Sequence, residues 1–350
     1  SNRNLIINGA MQVAQRGTSL TGIGNNNGGP FICDRFQHVQ GSGGGSGVLT
    51  MEQSADAADG FGSSLKLTVT TADTLSGGEN VGIRYRSEGQ DGQSLKFGTS
   101  SAEKFTVSFW AKASLAGTYS LQIFGPGRSV LSSYTINSAN TWEYKTITFN
   151  GDTSVALPNT NAAGFEVIWH LDAGSSDITS AYDWADTGAF RAATGQVNFM
   201  ATNGATWQIT GVQLEVGDTA TPFEHRSYGD ELQRCQRYYY TNDSSESNGS
   251  YYRLCDGMCT TSVAAVGVVR HPVEMRVKPT FIASAAGTWA TWDGVSVRGA
   301  ANAAEPSADG ETRLSSMIAL SGLAGQTQFR PIQILANANK NAFIAFDAEL

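Results

Sequence analysis

The chain is short of charge, of proline and of long apolar runs, and each shortage excludes something. Charged residues make up 15% of its 350 residues, and prolines number 8 against 40 glycines. That is the composition of neither a disordered chain nor a coiled coil, and it suits short strands joined by many turns. Basic residues are outnumbered, 23 Lys and Arg against 31 Asp and Glu, for a net charge of −8. A nucleic-acid binder needs a basic face to neutralise phosphates, and an anionic bilayer attracts polybasic segments, so neither nucleic acid nor membrane is an expected partner. No stretch approaches the ~20 apolar residues of a transmembrane helix; "VAAVGVV" (263–269) has the length of a buried strand. "SNRNLIINGAMQ" lacks a signal peptide's apolar core after Arg3. A protein of this kind that works outside a cell is expected to be made in the cytoplasm and released by lysis.

Reactive motifs are equally scarce. The chain has no Gly-Lys pair for a phosphate-cradling loop, no HExxH and no GxSxG. Its histidines, His38, His170, His225 and His271, lie far apart in sequence. The four cysteines offer too few ligands at short spacing for zinc. Cys255 and Cys259, in "LCDGMC", would face each other across a hairpin turning at Asp256-Gly257-Met258. A cross-strand disulfide is then open, although reduced, half-buried thiols are the preferred reading.

What the chain has in abundance is strand signal. From Val48 onward "VLTMEQS", "SLKLTVTT", "VGIRYRS", "KFTVSFWAKA", "TYSLQIFG", "SVLSSYTI", "WEYKTITFN", "FEVIWHLDAG", "GQVNFMAT" and "WQITGVQLEVG" follow one another, several with period-two alternation. Phe105, Val107 and Phe109 share one face, as do Tyr119, Leu121 and Ile123. In "WQITGVQL" the apolar phase slips at Gly211, which predicts a bulge. About ten short strands predict a two-sheet jelly roll. Residues 1–46 read as irregular, with "FICDRFQHV" a first strand between the loops "GIGNNNGGP" and "GSGGGSG".

One segment reads as helix. Ser227 and Asp230 resemble a capping box, Asp230 and Glu231 occupy the first turn, and Arg234 and Arg237 come later, where the helix dipole favours them. Leu232, Cys235 and Tyr239 form a narrow apolar stripe, so the helix is expected to pack as a connector. A second strand series follows it. The expected organisation is an all-β chain: an N-terminal anchoring segment (1–46), a jelly-roll sandwich (47–226), a short connecting α-helix (227–240) and a smaller C-terminal β-sandwich (241–350).

The phrases "NLIINGAMQVAQRGTS…CDRF", "EGQDGQSLKFGTSSAEKFTVSFWAKAS", "WEYKTITFNGDTS", "TGVQLEVGDTATPFEHRSYGDELQRCQRYY" and "HPVEMRVKPT", in this order, resemble bacteriophage tail-fibre and receptor-binding proteins across almost the whole chain. The first half is also similar to jelly-roll carbohydrate-binding modules, in its "SFWAKA" and "WEYKTITF" strands. The resemblance implies a virion protein, a homotrimer, binding bacterial surface polysaccharide and attached to other virion proteins through its N-terminal segment. The "NLIINGAMQ" phrase opens the chain, so a long tail-attachment domain is not expected before it.

Sugars stack their C–H faces on aromatic rings while polar side chains take the hydroxyls. Tyr182 and Trp184, with Trp169, flank an aspartate-rich loop and are the preferred platform; Tyr85, between two arginines, ranks below them. Trp110 and Trp142, inside strand patterns, read as core. Trp289 and Trp292 could sit at a distal tip, and Tyr238, Tyr239 and Tyr240 read as packing beside the helix. Asp172, Asp177, Asp183 and Asp186 read first as turn-forming, solvated aspartates. Calcium ligation is their alternative role and a glycosidase carboxylate pair a more remote one; no cofactor is required. The functional expectation is a non-enzymatic, glycan-binding fibre protein. A purely structural tail or head-fibre protein is the alternative, and a depolymerase is a distant third.

Overall fold

The structure, a computed structural model, describes residues 3–24, 29–41, 45–187, 189–243, 251–298, 303–306 and 310–350; of the loops expected at 22–30 and 41–47, residues 25–28 and 42–44 lie outside the described residues, while Gly22 and Ile23 end a strand. The chain forms two compact units, Ser1–Leu232 with Leu350, and Gln233–Glu349. Both are built from antiparallel β-sheets, as the sequence predicts.

The strands of the first unit are β1 (Ser19–Ile23), β2 (Phe36–Gly41), β3 (Val48–Ser54), β4 (Ser64–Thr71), β5 (Asn80–Glu88), β6 (Phe105–Ala113), β7 (Gly117–Gly125), β8 (Arg128–Ile136), β9 (Glu143–Phe149), β10 (Ala163–Ala173), β11 (Ile178–Thr179), β12 (Ala192–Ala193) and β13 (Thr206–Val216). They make a six-stranded sheet in the order β1-β3-β4-β13-β6-β9 and a five-stranded sheet in the order β2-β5-β10-β7-β8, with β11 and β12 as a small parallel pair. Alternation decides which face of each strand is buried. Phe105, Val107 and Phe109 on β6, Val81, Ile83 and Tyr85 on β5, and Phe165, Val167, Trp169 and Leu171 on β10 all enter one core. Phe109 meets Trp169 edge to face at 5.8 Å, joining the two sheets into a sandwich. Each such ring adds roughly 1.5–3 kcal/mol by leaving water. The expected bulge is present: the β13–β6 register shifts between Thr210 and Gln213, and Gly211 takes φ +62°, where a Cβ would sit 2.6 Å from Phe61.

Several expectations need correcting. The first 46 residues are not a separate irregular segment, because β1 and β2 pair into the two sheets and Ile6, Met11, Cys33 and Phe36 are core. Within "FICDRFQHV" the strand begins only at Phe36, after Arg35 at φ +74°. "GQVNFMAT" holds a 3₁₀ turn at Phe199–Ala201 instead of a strand, because Phe199 and Met200 both plug the core and Met200 N–H is held by Asp172 at 2.7 Å.

The helix α1 spans Tyr228–Gln236 and carries the expected cap, the Ser227 hydroxyl accepting from Asp230 N–H at 3.2 Å. Its buried side chains are Glu231 and, of the expected apolar stripe, Cys235; Leu232 is only half-buried, and Tyr239, though buried, belongs to the next strand. Glu231 Oε1 accepts from the buried Asn8 N–H at 2.7 Å and faces Arg226 at 3.5 Å. Arg226 in turn donates to the carbonyls of Ile6 (3.0 Å) and Asn4 (2.5 Å). Asn4 N–H donates to Glu224 at 2.7 Å.

The second unit contains β14 (Tyr239–Asp243), β15 (Arg253–Thr261), β16 (Ala264–Arg270), β17 (Thr280–Ala283), β18 (Trp289–Trp292), β19 (Val297–Arg298), β20 (Ala303–Pro306), β21 (Ser315–Ser321), β22 (Pro331–Ala336) and β23 (Phe343–Asp347). They form a three-stranded sheet, β14-β23-β17, and a seven-stranded sheet, β19-β18-β22-β15-β16-β21-β20. Their common core includes Met275, Trp289, Ile334, Ile344 and Phe346. Tyr240 stacks on Phe346. Trp289 is therefore not a tip residue; Trp292, less buried, lies under Arg253. The hairpin expected at "LCDGMC" is absent, because β15 runs straight through it, and no disulfide joins the four cysteines. Four residues along a strand separate two Cα atoms by ~13 Å, beyond the ~7 Å that a disulfide spans.

Candidate functional site

On the five-stranded sheet, the alternation that buries Tyr85 and Trp169 turns their neighbours outward. Arg84 and Arg86 on β5, Glu166 on β10 and Phe124 on β7 point away from the core, and Glu166 pairs in register with both Arg86 and Phe124. The Glu166 carboxylate bridges the two guanidiniums, Arg86 Nε at 3.0 Å and Arg84 Nη1 at 3.4 Å. Arg84 Nη2 donates to Gln37 Oε1 on β2 at 2.6 Å. Partial burial pushes the Arg84 guanidinium below its usual range, and the facing Glu166 pulls it back. Arg86 is further occupied, its Nη1 donating to the Leu350 carbonyl oxygen, which leaves Arg84 and Glu166 as a charge-balanced pair.

Above the floor lies a groove of about 350 Å³ lined by Arg84, Phe124, Gly125, Pro126, Ala163, Gly164, Glu166 and Phe190. Phe124 and Phe190 meet edge to face at 6.1 Å, forming an apolar wall beside the charged floor. Glu166 is the only carboxylate among these described lining residues. An aromatic wall beside a guanidinium and a carboxylate is an arrangement able to hold a polyol.

Residues 174–187 and 189–197 pack on other parts of the sheet face, held by a buried polar network. Gln122 Oε1 lies 2.8 Å from His170 Nε2 and accepts from Arg191 N–H at 3.0 Å. Gln122 Nε2 donates to the Ala189 carbonyl at 3.1 Å. Arg191 reaches the Ser129 carbonyl at 3.2 Å, and Ala193 N–H donates to Ser120 at 2.8 Å. Burial pushes the His170 imidazole down to about 3, so it is neutral there.

The structure separates the residues singled out from the sequence. Trp169 and Tyr85, fully buried, cannot stack on a ligand; Tyr85 instead accepts a hydrogen bond from Ile7 N–H at 3.1 Å. Their strand alternation already placed them with the core residues. Trp184 is half-buried, its indole N–H donating to the Asn150 carbonyl at 2.8 Å and its ring edge-on to Phe97, so it anchors the covering segment. Tyr182 is exposed on that segment. The aspartates do not converge, and among the described residues no group of three or more His, Cys, Asp or Glu could hold a metal. Three of the four have other partners. Asp172 is buried against Met200 N–H, and burial raises its carboxyl to about 7. Asp177 accepts from Asn80 at 3.0 Å. Asp186 pairs with Arg128, and Asp183 is exposed.

Sequence reasoning missed Phe124, Phe190, Arg84 and Glu166 as a set. Phe124 was recoverable, since it lies one residue beyond Ile123 and so on the opposite face. Phe190 sits in the covering segment, with no period to place it. Trp110, read as core, is turned outward from β6 for the same reason that Phe109 is turned in.

No protein-family model matches this chain, and no curated protein matches it. Among solved structures, the chain is similar to the enzymatically active domain of tailspike protein 4 of bacteriophage CBA120, with 13% identity, 61% of this chain and 21% of that chain covered, and a TM-score of 0.33. It is similar to a sugar-binding protein from Bacteroides thetaiotaomicron, with 12% identity, 61% and 100% covered, and a TM-score of 0.35. It is also similar to a family 11 carbohydrate-binding module from Clostridium thermocellum in complex with a mixed-linked tetrasaccharide, with 11% identity, 59% and 99% covered, and a TM-score of 0.29.

Proposed function

We propose that this chain is a non-enzymatic glycan-binding protein of a phage virion, a fibre component that holds bacterial surface polysaccharide through the outer face of its five-stranded sheet. The observation that carries the reading is the groove in which Phe124 and Phe190 stand beside the Arg84–Glu166 pair, Glu166 being braced by Arg86. Rings give a pyranose a face to lie against, and guanidinium and carboxylate groups take adjacent hydroxyls in fork geometry. The groove is charge-balanced, one guanidinium against one carboxylate, and Arg84 is the group that can meet a sugar carboxylate. The phage assignment rests on the order of the sequence phrases from "NLIINGAMQ" to "HPVEMRVKPT". The chain acts as a homo-oligomer, so weak single sites add up through multivalency. The exposed Met258 and Val268 on the outer face of the seven-stranded sheet suit subunit contacts; they also favour the purely structural fibre reading over binding if the groove stays empty.

The test is titration of host capsule or lipopolysaccharide fragments into the protein, Phe124→Ala and Arg84→Gln. Each variant is expected to weaken binding about tenfold. Unchanged affinity in both, or no binding to any host polysaccharide by the unaltered protein, removes the groove from the function. Imaging of the particle, with the protein at a distal tip and not in a lattice, checks its place on the virion.

A further inference from the structure

We propose a second saccharide site on the opposite side of the sandwich, on the outer face of the six-stranded sheet, specific for uncharged pyranose rings. A cavity of about 380 Å³ opens there, at the small end of the ~300–1,000 Å³ range of ligand pockets. Trp110 on β6 and Tyr144 on β9 are register partners, their rings 5.3 Å apart and inclined at 46°. Tyr144 is 44% exposed, more than any other tyrosine of the sandwich strands. The facing wall is Phe61, Phe223 and His225, packed on one another at 4.9–5.2 Å between ring centroids. The Gly211 bulge makes that wall feasible, because any side chain there would collide with the Phe61 ring.

Two features select the ligand. None of the lining residues is Asp, Glu, Lys or Arg, in contrast to the groove on the other sheet, so a charged ligand would be desolvated without a counter-charge. The floor also belongs to an interior strand: β6 is hydrogen-bonded to β13 on one side and β9 on the other. Along β6 no free backbone is available to add a peptide strand, and β9, the edge strand, contributes only the Tyr144 ring to the lining. A ring with apolar C–H faces and equatorial hydroxyls matches Trp110 and Tyr144 for stacking. The Ser108 hydroxyl on the floor and the exposed His225 ring supply the polar contacts. The proposal shares with the reading above the premise that glycans are the ligand class, but none of its residues. Two sites of different charge preference on opposite faces let one chain hold two glycan strands.

Calorimetric titration of the full chain with cellotetraose, maltotetraose and β-1,4-galactotetraose, and separately with tetragalacturonate, tests it. At least one neutral tetrasaccharide is expected to bind, with affinity falling about tenfold in Tyr144→Ala and staying within about twofold in Arg84→Gln. Tetragalacturonate binding is expected to show the reverse dependence, so failure of one site leaves the other readable. Tyr144 is exposed enough that Tyr144→Ala should fold; if it does not, Tyr144→Ser and Trp110→Phe replace it. The proposal is overturned if no neutral probe binds at millimolar concentration, if neutral binding survives Tyr144→Ala, or if a proline-rich peptide occupies the cavity while the neutral tetrasaccharides do not.

Discussion

Replacing Glu231 by Ala probes the way the first unit closes on its own opening residues. Glu231 is 5% exposed and Asn8, whose N–H it accepts at 2.7 Å, is fully buried. Its loss leaves that N–H without an acceptor, at a cost of about 1–3 kcal/mol. Arg226 loses one of two carboxylates but keeps Glu224 at 3.4 Å and the Asn4 and Ile6 carbonyls. Its share therefore falls below the ~3–5 kcal/mol of a fully broken buried pair. The sum is about 3 kcal/mol, and at ~2–4 °C per kcal/mol for a unit of this size the transition should move down by about 6–12 °C. Glu231→Gln keeps an acceptor for Asn8 and should cost about 1 kcal/mol. Leu232→Ala, which trims a half-buried side chain, should cost about 1 kcal/mol as well. Scanning calorimetry of the three variants gives the ranking. If Glu231→Ala shifts the transition no further than Leu232→Ala, the buried carboxylate is not what fixes the helix.

Acid should weaken the first unit in a defined window. Burial holds His38 down to about 4 and His170 down to about 3, so below ~6.5 the unfolded chain binds protons that the folded one refuses, costing about 1.4 kcal/mol per pH unit for each imidazole. Asp172, raised to about 7, works the other way: its contribution is present below ~3.9 and lost as pH rises to 7. Two histidines against one aspartate leave stability rising by about 1.4 kcal/mol per unit between about pH 4 and 6.5, and equal urea midpoints at pH 4.5 and 6.5 would contradict this. Gly211→Ala must place a Cβ against Phe61 at φ +62°, so a loss of about 1–2 kcal/mol is expected, together with weaker neutral-saccharide binding; unchanged urea unfolding would show that the bulge tolerates a side chain. Trp184→Ala removes the indole that ties the covering segment to Asn150 and Phe97, and proteolysis within 174–197 should accelerate while the core stays protected. Non-reducing peptide mapping after mild oxidation should yield no Cys255–Cys259 cross-link, in keeping with their places along one strand.

Period-two patterning made the sandwich legible. "KFTVSFW" and "TYSLQIF" showed which faces turn inward, and the phase slip at Gly211 marked the bulge. The same patterning, carried one step further, would have moved Trp169 and Tyr85 into the core and Trp110 out of it. What could not be read was convergence between distant segments. Phe190 meets Phe124 only because the covering segment folds back over β7, and Asn8 meets Glu231 across more than two hundred residues. The "LCDGMC" hairpin failed because Gly257 sits inside a strand, where a Cβ would strike the Val266 carbonyl of β16; its glycine marks close strand contact, not a turn.

The tie between Asn4–Asn8 and residues 224–231 also sets a timetable. At ~5–20 residues per second a ribosome needs roughly 10–45 s to make the chain between the two. For that interval the Asn8 N–H waits without its Glu231 acceptor, and the nascent β1 and β2 have no finished sheet to join. Slowed translation or a pause before Glu224 would lengthen the period when those edges are open to wrong partners.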